Sequence, residues 1–218
     1  MKKQNEFTVS LQNVIAKLEA MFSKFNSHFY NGELEAPVIT VTPEHKNGIL
    51  GWCTSWKAWK DDCENDDNDN SNENGYYEIN LCSEYLSRPL AEIAETLLHE
   101  MIHLFNLQKE IKDTSRGGTY HNKRFKESGE QHGLVVEQGK SGWNKTSLTD
   151  EAYKWIVNEY PDEKGFGLYR GKISKHARVK SKSSSRKYIC PECKTIIRAT
   201  KEVNVYCGDC DAKFKEEL

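Results

Sequence analysis

The chain has 218 residues, 37% of them hydrophobic and 29% charged, with a mean hydropathy of -0.79. Those values fit one or two globular domains and exclude collagen-like and membrane-embedded classes, since no run of about 18 apolar residues is present. The formal net charge of -2 hides an asymmetry: residues 1–163 carry 17 Lys+Arg against 27 Asp+Glu, a net -10, while residues 164–218 carry 14 against 6, a net +8.

Met1-Lys2-Lys3 leads into an amphipathic stretch, not the apolar run of a signal peptide, so a cytoplasmic protein with no membrane partner is expected. Leu11, Val14, Ile15, Leu18, Phe22, Phe25 and Phe29 recur at helical spacing and predict a helix ending near Asn31-Gly32, a left-handed cap. Val38, Ile39 and Val41 between two prolines predict a short strand, and Ile49–Trp56 a second one. Residues 61–75, DDCENDDNDNSNENG, form an acidic low-complexity insertion. Set against a calcium loop they fail, because Leu81 falls where the bidentate glutamate belongs; a solvated hairpin insertion is expected instead. Tyr77, Ile79 and Leu81 alternate as a strand does. A helix is expected from about Ser87-Arg88-Pro89, with Leu90, Ile93, Ala94, Leu97, Leu98, Ile102 and Phe105 as its apolar stripe. After a glycine-bearing loop, Asp113–Tyr120, another helix is expected from about His121 to Gln131, and Ser147–Asp150 caps a last one running to Tyr160.

The central helix carries His99-Glu100-Met101-Ile102-His103. Residues four apart lie one turn apart on the same face, so both imidazoles can point at one metal, with Glu100 beside them. Zinc suits imidazole ligands and lowers the pKa of water it binds from 15.7 to about 7. Glu100 is then the expected general base, taking a proton as water attacks a carbonyl and returning it to the leaving amine. A catalytic zinc needs a third protein ligand. Phe105 and Lys109 stand where a metzincin has its glycine and third histidine. The residues leave His121, Glu127 and Glu130 as alternatives.

These segments resemble the SprT-like, or Spartan-type, family. The resemblance rests on Leu97–His103, on Tyr120-His121-Asn122-Lys123-Arg124-Phe125-Lys126, on Phe25–Leu34, and on Leu50-Gly51-Trp52 and Glu78–Leu81 ahead of the active-site helix. It covers roughly residues 8–160. It implies an α+β, zincin-like metalloprotease core and selects His121, in an H-x-x-x-F segment with Phe125 as core, as third ligand. It also implies a protein substrate, and DNA as a partner, since characterised Spartan-type members degrade proteins crosslinked to DNA. The acidic insertion departs from the family's compact pattern.

Seven cysteines are present, and four form Cys190-Pro191-Glu192-Cys193 and Cys207-Gly208-Asp209-Cys210. Four thiolates at this spacing close a tetrahedral structural zinc site, and a module this small depends on its metal to fold. Ile196-Ile197 and Val203–Tyr206 are its expected strands. Three segments follow: a catalytic domain over 1–163, a basic flexible linker over 164–187, and a four-cysteine zinc ribbon over 188–218. The linker's Arg170, Lys172, Lys175, Arg178, Lys180, Lys182, Arg186 and Lys187 are the expected contacts to single-stranded or damaged DNA, with Tyr188 and Tyr206 as stacking partners. Two zinc ions, one catalytic and one structural, a monomer, and a nucleoid association in a bacterial or phage setting complete the expectation. A nucleic-acid-binding adaptor with a weakly active core and a peptidase indifferent to DNA are the alternatives. Cys53, Cys63 and Cys82 are expected as free thiols; Trp52, Trp56 and Trp59 as packing residues; His28, His132 and His176 as lying outside any ligand set.

Overall fold

A computed structural model describes residues 10–44, 48–60, 75–161, 165–171 and 185–217. Ser10 opens helix α1 (Leu11–Phe29), its side chain accepting from the Gln12 N–H at 3.2 Å. Val14, Leu18, Met21, Phe22 and Phe25 form the buried stripe. The helix stops where Asn31 and Gly32 take φ of 54° and 77°, the left-handed pair expected there.

Strands β1 (Val38–Thr42), β2 (Gly51–Cys53) and β3 (Glu78–Cys82) make a sheet in the order β1-β3-β2. β1 runs parallel to β3 and β2 antiparallel to it, so β2 is an edge. The second strand is shorter than expected because Thr54 turns the chain away: its hydroxyl donates to Trp56 O at 2.9 Å and accepts from the Glu78 N–H. Trp59 and Tyr76 exchange backbone hydrogen bonds of 3.1 and 2.8 Å, closing the base of the acidic insertion. Residues 61–74 of that insertion, Cys63 among them, lie outside the described residues.

Helix α2 (Leu90–Gln108) follows a 3-10 turn, Ser83–Tyr85, and starts after Pro89, where a missing N–H costs no intrahelical bond. It is buried widely, through Ile93, Ala94, Leu97, Leu98, Met101, Ile102 and Leu104. Each of the larger of these side chains contributes about 1.5–3 kcal/mol by burial. α2 packs against β2 and β3 of the first sheet and against a second sheet with its helices. That second layer holds β4 (Thr114–Ser115), β5 (Tyr120–His121), α3 (Lys123–Gln131), β6 (Leu134–Gly139), β7 (Gly142–Leu148) and α4 (Asp150–Glu159). Its strand order is β4-β5-β7-β6, with β5 parallel to β7 through the single pair His121↔Gly142.

Several expectations change here. His121 does not open a helix: it sits in β5, and Asn122 caps α3 by accepting from the Arg124 N–H at 2.8 Å. The β6–β7 hairpin is an element that sequence reading missed. Residues 165–171, expected as linker, contribute Phe166 to the core of the first unit and bond through the Arg170 N–H to Ser83 O at 3.0 Å. The chain divides into two units, Met1–Lys172 and Ile173–Leu218.

In the second unit, β8 (Arg186–Ile189) lies between β9 (Ile196–Ala199) and β10 (Lys215–Glu217) in an antiparallel sheet. Val203–Tyr206 is not a strand; Tyr206 makes only an isolated bridge to Lys213. Arg186 and Lys187 are strand residues, ion-paired to Glu216 (3.2 Å) and Glu217.

Candidate metal centre

α2 places His99 and His103 one turn apart, and the β5–β7 pairing brings His121 to them. His121 Nε2 lies 3.2 Å from His99 Nε2 and 3.1 Å from His103 Nε2. All three rings rest on Phe125, with centroid distances of 4.7, 4.8 and 4.6 Å. The register depends on Gly142, whose φ is 84° and where any Cβ would overlap the His121 carbonyl.

Two of the three outer nitrogens have partners as well, those of His103 and His99. His103 Nδ1 is 2.7 Å from Asp113 Oδ2, which also accepts from Asn106 Nδ2 at 3.1 Å. Ser128 Oγ donates to Asn106 Oδ1 at 2.6 Å, so a buried polar chain joins α2, the Asp113 loop and α3. His99 Nδ1 lies 3.4 Å from Thr146 Oγ1. Neutral rings with Nδ1 protonated turn three Nε2 lone pairs on one another, an arrangement that a cation resolves. Zinc–nitrogen bonds of about 2.0–2.1 Å at tetrahedral angles set the nitrogens about 3.3–3.4 Å apart, close to the observed spacing. The donor set therefore fits zinc.

Burial, then the neighbouring His103 and His121, holds His99 well below the usual imidazole range. Burial and then His103 lower His121 to about 4. Burial would lower His103 too, but the Asp113 hydrogen bond and the charges of Glu100 and Asp113 raise it overall.

Glu100 is buried, yet lines the same cleft of about 400 Å³ as His99 and His121, with Gly48–Gly51 on one wall and Asn144–Thr146 on the other. Burial pushes its carboxyl up to about 7, with His103 and the Cys53 backbone N–H pulling the other way and Asp113 adding to the rise. A Cβ on Gly51 would stand 2.7 Å from Asn80 O and 3.3 Å from Glu100 Oε1, so β2 can lie against Glu100 only because residue 51 is glycine. A larger hollow of about 660 Å³, around His28, Gly133 and the start of α4, contains no comparable convergence of groups.

Glu127 and Glu130, the alternative third ligands, lie on α3 away from the three imidazoles, and Glu130 pairs with Lys126 at 3.6 Å. Asp113 and Thr146 carry no sequence signal: neither stands at a fixed spacing from the helix motif.

In the second unit the sulfurs of Cys190, Cys193, Cys207 and Cys210 all lie within 4.8 Å of one another, Cys193 and Cys207 at 3.6 Å. Zinc–sulfur bonds of about 2.3 Å put tetrahedral ligands about 3.8 Å apart, so this set also fits zinc. Hydrogen bonding with Thr195 holds the Cys193 thiol down to about 6, and a hydrogen bond with Cys193 lifts Cys210 to about 12. Of the expected DNA-contact residues, Lys172, Lys175, Arg178, Lys180 and Lys182 lie outside the described residues, as does His176. No described helix is long and apolar enough to cross a membrane.

A mixed α+β body that gathers three imidazoles and a carboxylate at one cleft defines a protein with a candidate mononuclear metal centre. The chain belongs to the SprT-like family, which it matches over residues 18–146. That span holds His99, Glu100, His103, Asp113 and His121, and membership suggests a metalloprotease-like function. No curated protein and no solved structure matches the chain.

Proposed function

We propose that this protein is a zinc-dependent endopeptidase that acts on proteins associated with or crosslinked to DNA. The observation that carries the reading is the convergence of the three Nε2 atoms, 3.1 and 3.2 Å apart, beside Glu100 in one cleft. His99, His103 and His121 are the residues that would hold the catalytic zinc, and Cys190, Cys193, Cys207 and Cys210 a structural one. A zinc ion at the first site supplies Lewis acidity and makes water a nucleophile near neutral pH. Glu100 acts as general base and then as general acid, receiving the proton of the attacking water on its carboxylate and returning it to the departing amine. β2 steadies Glu100 through the Cys53 N–H, and Asp113 keeps the His103 ring oriented.

The DNA part of the reading is supported by charge. Beyond the linker, the acidic first unit carries a basic cluster around His121: Lys112, Arg116, Lys123, Arg124 and Lys126. The Arg116 guanidinium lies 4.7 Å over the Tyr120 ring, which holds that cation in place, while the Lys126 ammonium lies 4.4 Å over Trp143 and is also paired with Glu130 at 3.6 Å. Arg186 and Lys187 support contact less well, being paired with glutamates.

The test is cleavage of a DNA-bound protein by the zinc-loaded chain and by Glu100→Gln, with and without DNA. The reading requires cleavage that needs both Glu100 and DNA. Binding of DNA without Glu100-dependent cleavage would leave an adaptor, and cleavage indifferent to DNA a general peptidase. Contacts to five phosphates predict a log–log salt slope of about -4 for DNA binding; a flat response removes DNA.

A further inference from the structure

We propose that Glu95 and Thr146 form a positioning pair for His99, doing for the first histidine what Asp113 does for the second. The inference rests on the reading that His99 is a metal ligand. Glu95 stands four residues before His99, so α2 carries both on one face. Thr146 reaches them from β7, where the hairpin register pairs it with Val136. Its Oγ1 donates to Glu95 Oε1 at 2.9 Å and lies 3.4 Å from His99 Nδ1.

A hydroxyl has one hydrogen to give. With that hydrogen committed to the Glu95 carboxylate, the hydroxyl faces His99 with lone pairs and can only accept. His99 must then carry its proton on Nδ1 and present a bare Nε2 toward His121, 3.2 Å away. Glu95 thus selects the tautomer of a ring that it does not touch, with Thr146 as relay. Outer partners of this kind hold ligand histidines in orientation, and their loss lowers metal affinity about 10–100-fold.

The hairpin strand acquires a role in the site through this relay. Asn144, Lys145 and Thr146 line the cleft, so a substrate-binding role for the Thr146 hydroxyl is the competing account, and the experiment must separate the two.

The test uses the full chain loaded with cobalt(II). Thiolate-to-cobalt charge-transfer absorption reports the four cysteines, and the weaker visible bands of nitrogen-ligated cobalt report the histidines, so the cysteine site is an internal control. Thr146→Val is expected to weaken the histidine site about 10–100-fold while leaving the charge-transfer phase unchanged. Thr146→Ser, which keeps the hydroxyl, is expected to restore affinity to within a few-fold of wild type. Wild-type affinity in Thr146→Val overturns the proposal, and if KM for a peptide rises at the same time the hydroxyl belongs to substrate binding. Weakening that Thr146→Ser does not rescue marks a merely structural role and overturns it as well. A wild-type chain that takes cobalt only at the cysteines defeats the metal-centre reading itself, and this proposal with it.

Discussion

Asp113→Ala probes how far the metal centre depends on what stands behind it. The substitution removes the acceptor of the His103 Nδ1–H (2.7 Å) and of Asn106 Nδ2 (3.1 Å), both groups being shielded from solvent. Leaving a buried donor unpaired costs about 1–3 kcal/mol, so two of them cost about 2–6 kcal/mol, toward the lower end if water enters the space. Metal affinity is expected to fall about 10–100-fold, equivalent to about 1.4–2.7 kcal/mol. The stability loss has a pH signature. His103 is raised above its unfolded value, so in the metal-free protein its pairing with Asp113 stabilises the fold fully below about pH 6.5 and is lost as pH rises through the folded value. The gap between wild type and variant should therefore be wider at pH 6 than at pH 9. All five tryptophans, at 52, 56, 59, 143 and 155, lie in the first unit, so denaturant titration followed by tryptophan fluorescence reads this unit alone. Zinc competition against a chromophoric chelator reads affinity. A variant that binds zinc as wild type does, with a pH-independent stability gap, would refute the role given to Asp113.

Three further outcomes are expected. Metal-free Glu100→Gln should be more stable than wild type by up to about 3 kcal/mol at pH 8, the difference vanishing below about pH 4.5, because burial raises the native carboxyl from 4.5 to about 7 and its ionised form opposes folding as pH climbs through that window; equal denaturation midpoints at pH 8 would contradict the burial argument. Gly142→Ala should destabilise the first unit by more than about 2 kcal/mol and abolish zinc binding at the histidines, since φ is 84° and the new Cβ would overlap the His121 carbonyl; full zinc uptake by this variant would show that β7 does not hold His121. Cys207→Ser should abolish the metal-dependent fold of residues 186–217, seen as lost amide protection there, while the tryptophan transition of the first unit stays put; protection surviving the substitution would show that the module has a core sufficient without metal.

The parts of this site legible from sequence are those tied to a local period. A four-residue spacing on a strongly apolar helix places His99, Glu100 and His103 on one face without any knowledge of the fold. His121 is reached only through the family resemblance, and its local setting differs from the expected one, because a two-residue strand has no period to read. What holds it is one parallel pair with Gly142, formed across twenty-one positions of sequence. Asp113 and Thr146 are invisible for the same reason: each meets its histidine through tertiary packing. The β6–β7 hairpin shows only Leu134 and Val136 as buried alternating residues on its first strand, too short a signal beside so many polar neighbours. In the cysteine module the knuckles are plain, but β8 begins in a Lys/Arg run that composition alone assigns to a tether.

The placement of Phe125 explains why the centre is built at the expense of the metal-free fold. An apolar ring under three imidazoles withdraws them from water, and burial is the leading cause of the depressed values of His99 and His121. Two ligands are thereby deprotonated at neutral pH and need lose no proton to bind a cation. The same desolvation leaves Glu100 short of water and raises its carboxyl. Lone pairs facing one another and a carboxyl resisting ionisation both weigh against folding, and α2, buried on most of its circumference, offsets them. A cation entering that cradle relieves both at once, although at His103, which is held above the usual imidazole range, it must displace a proton.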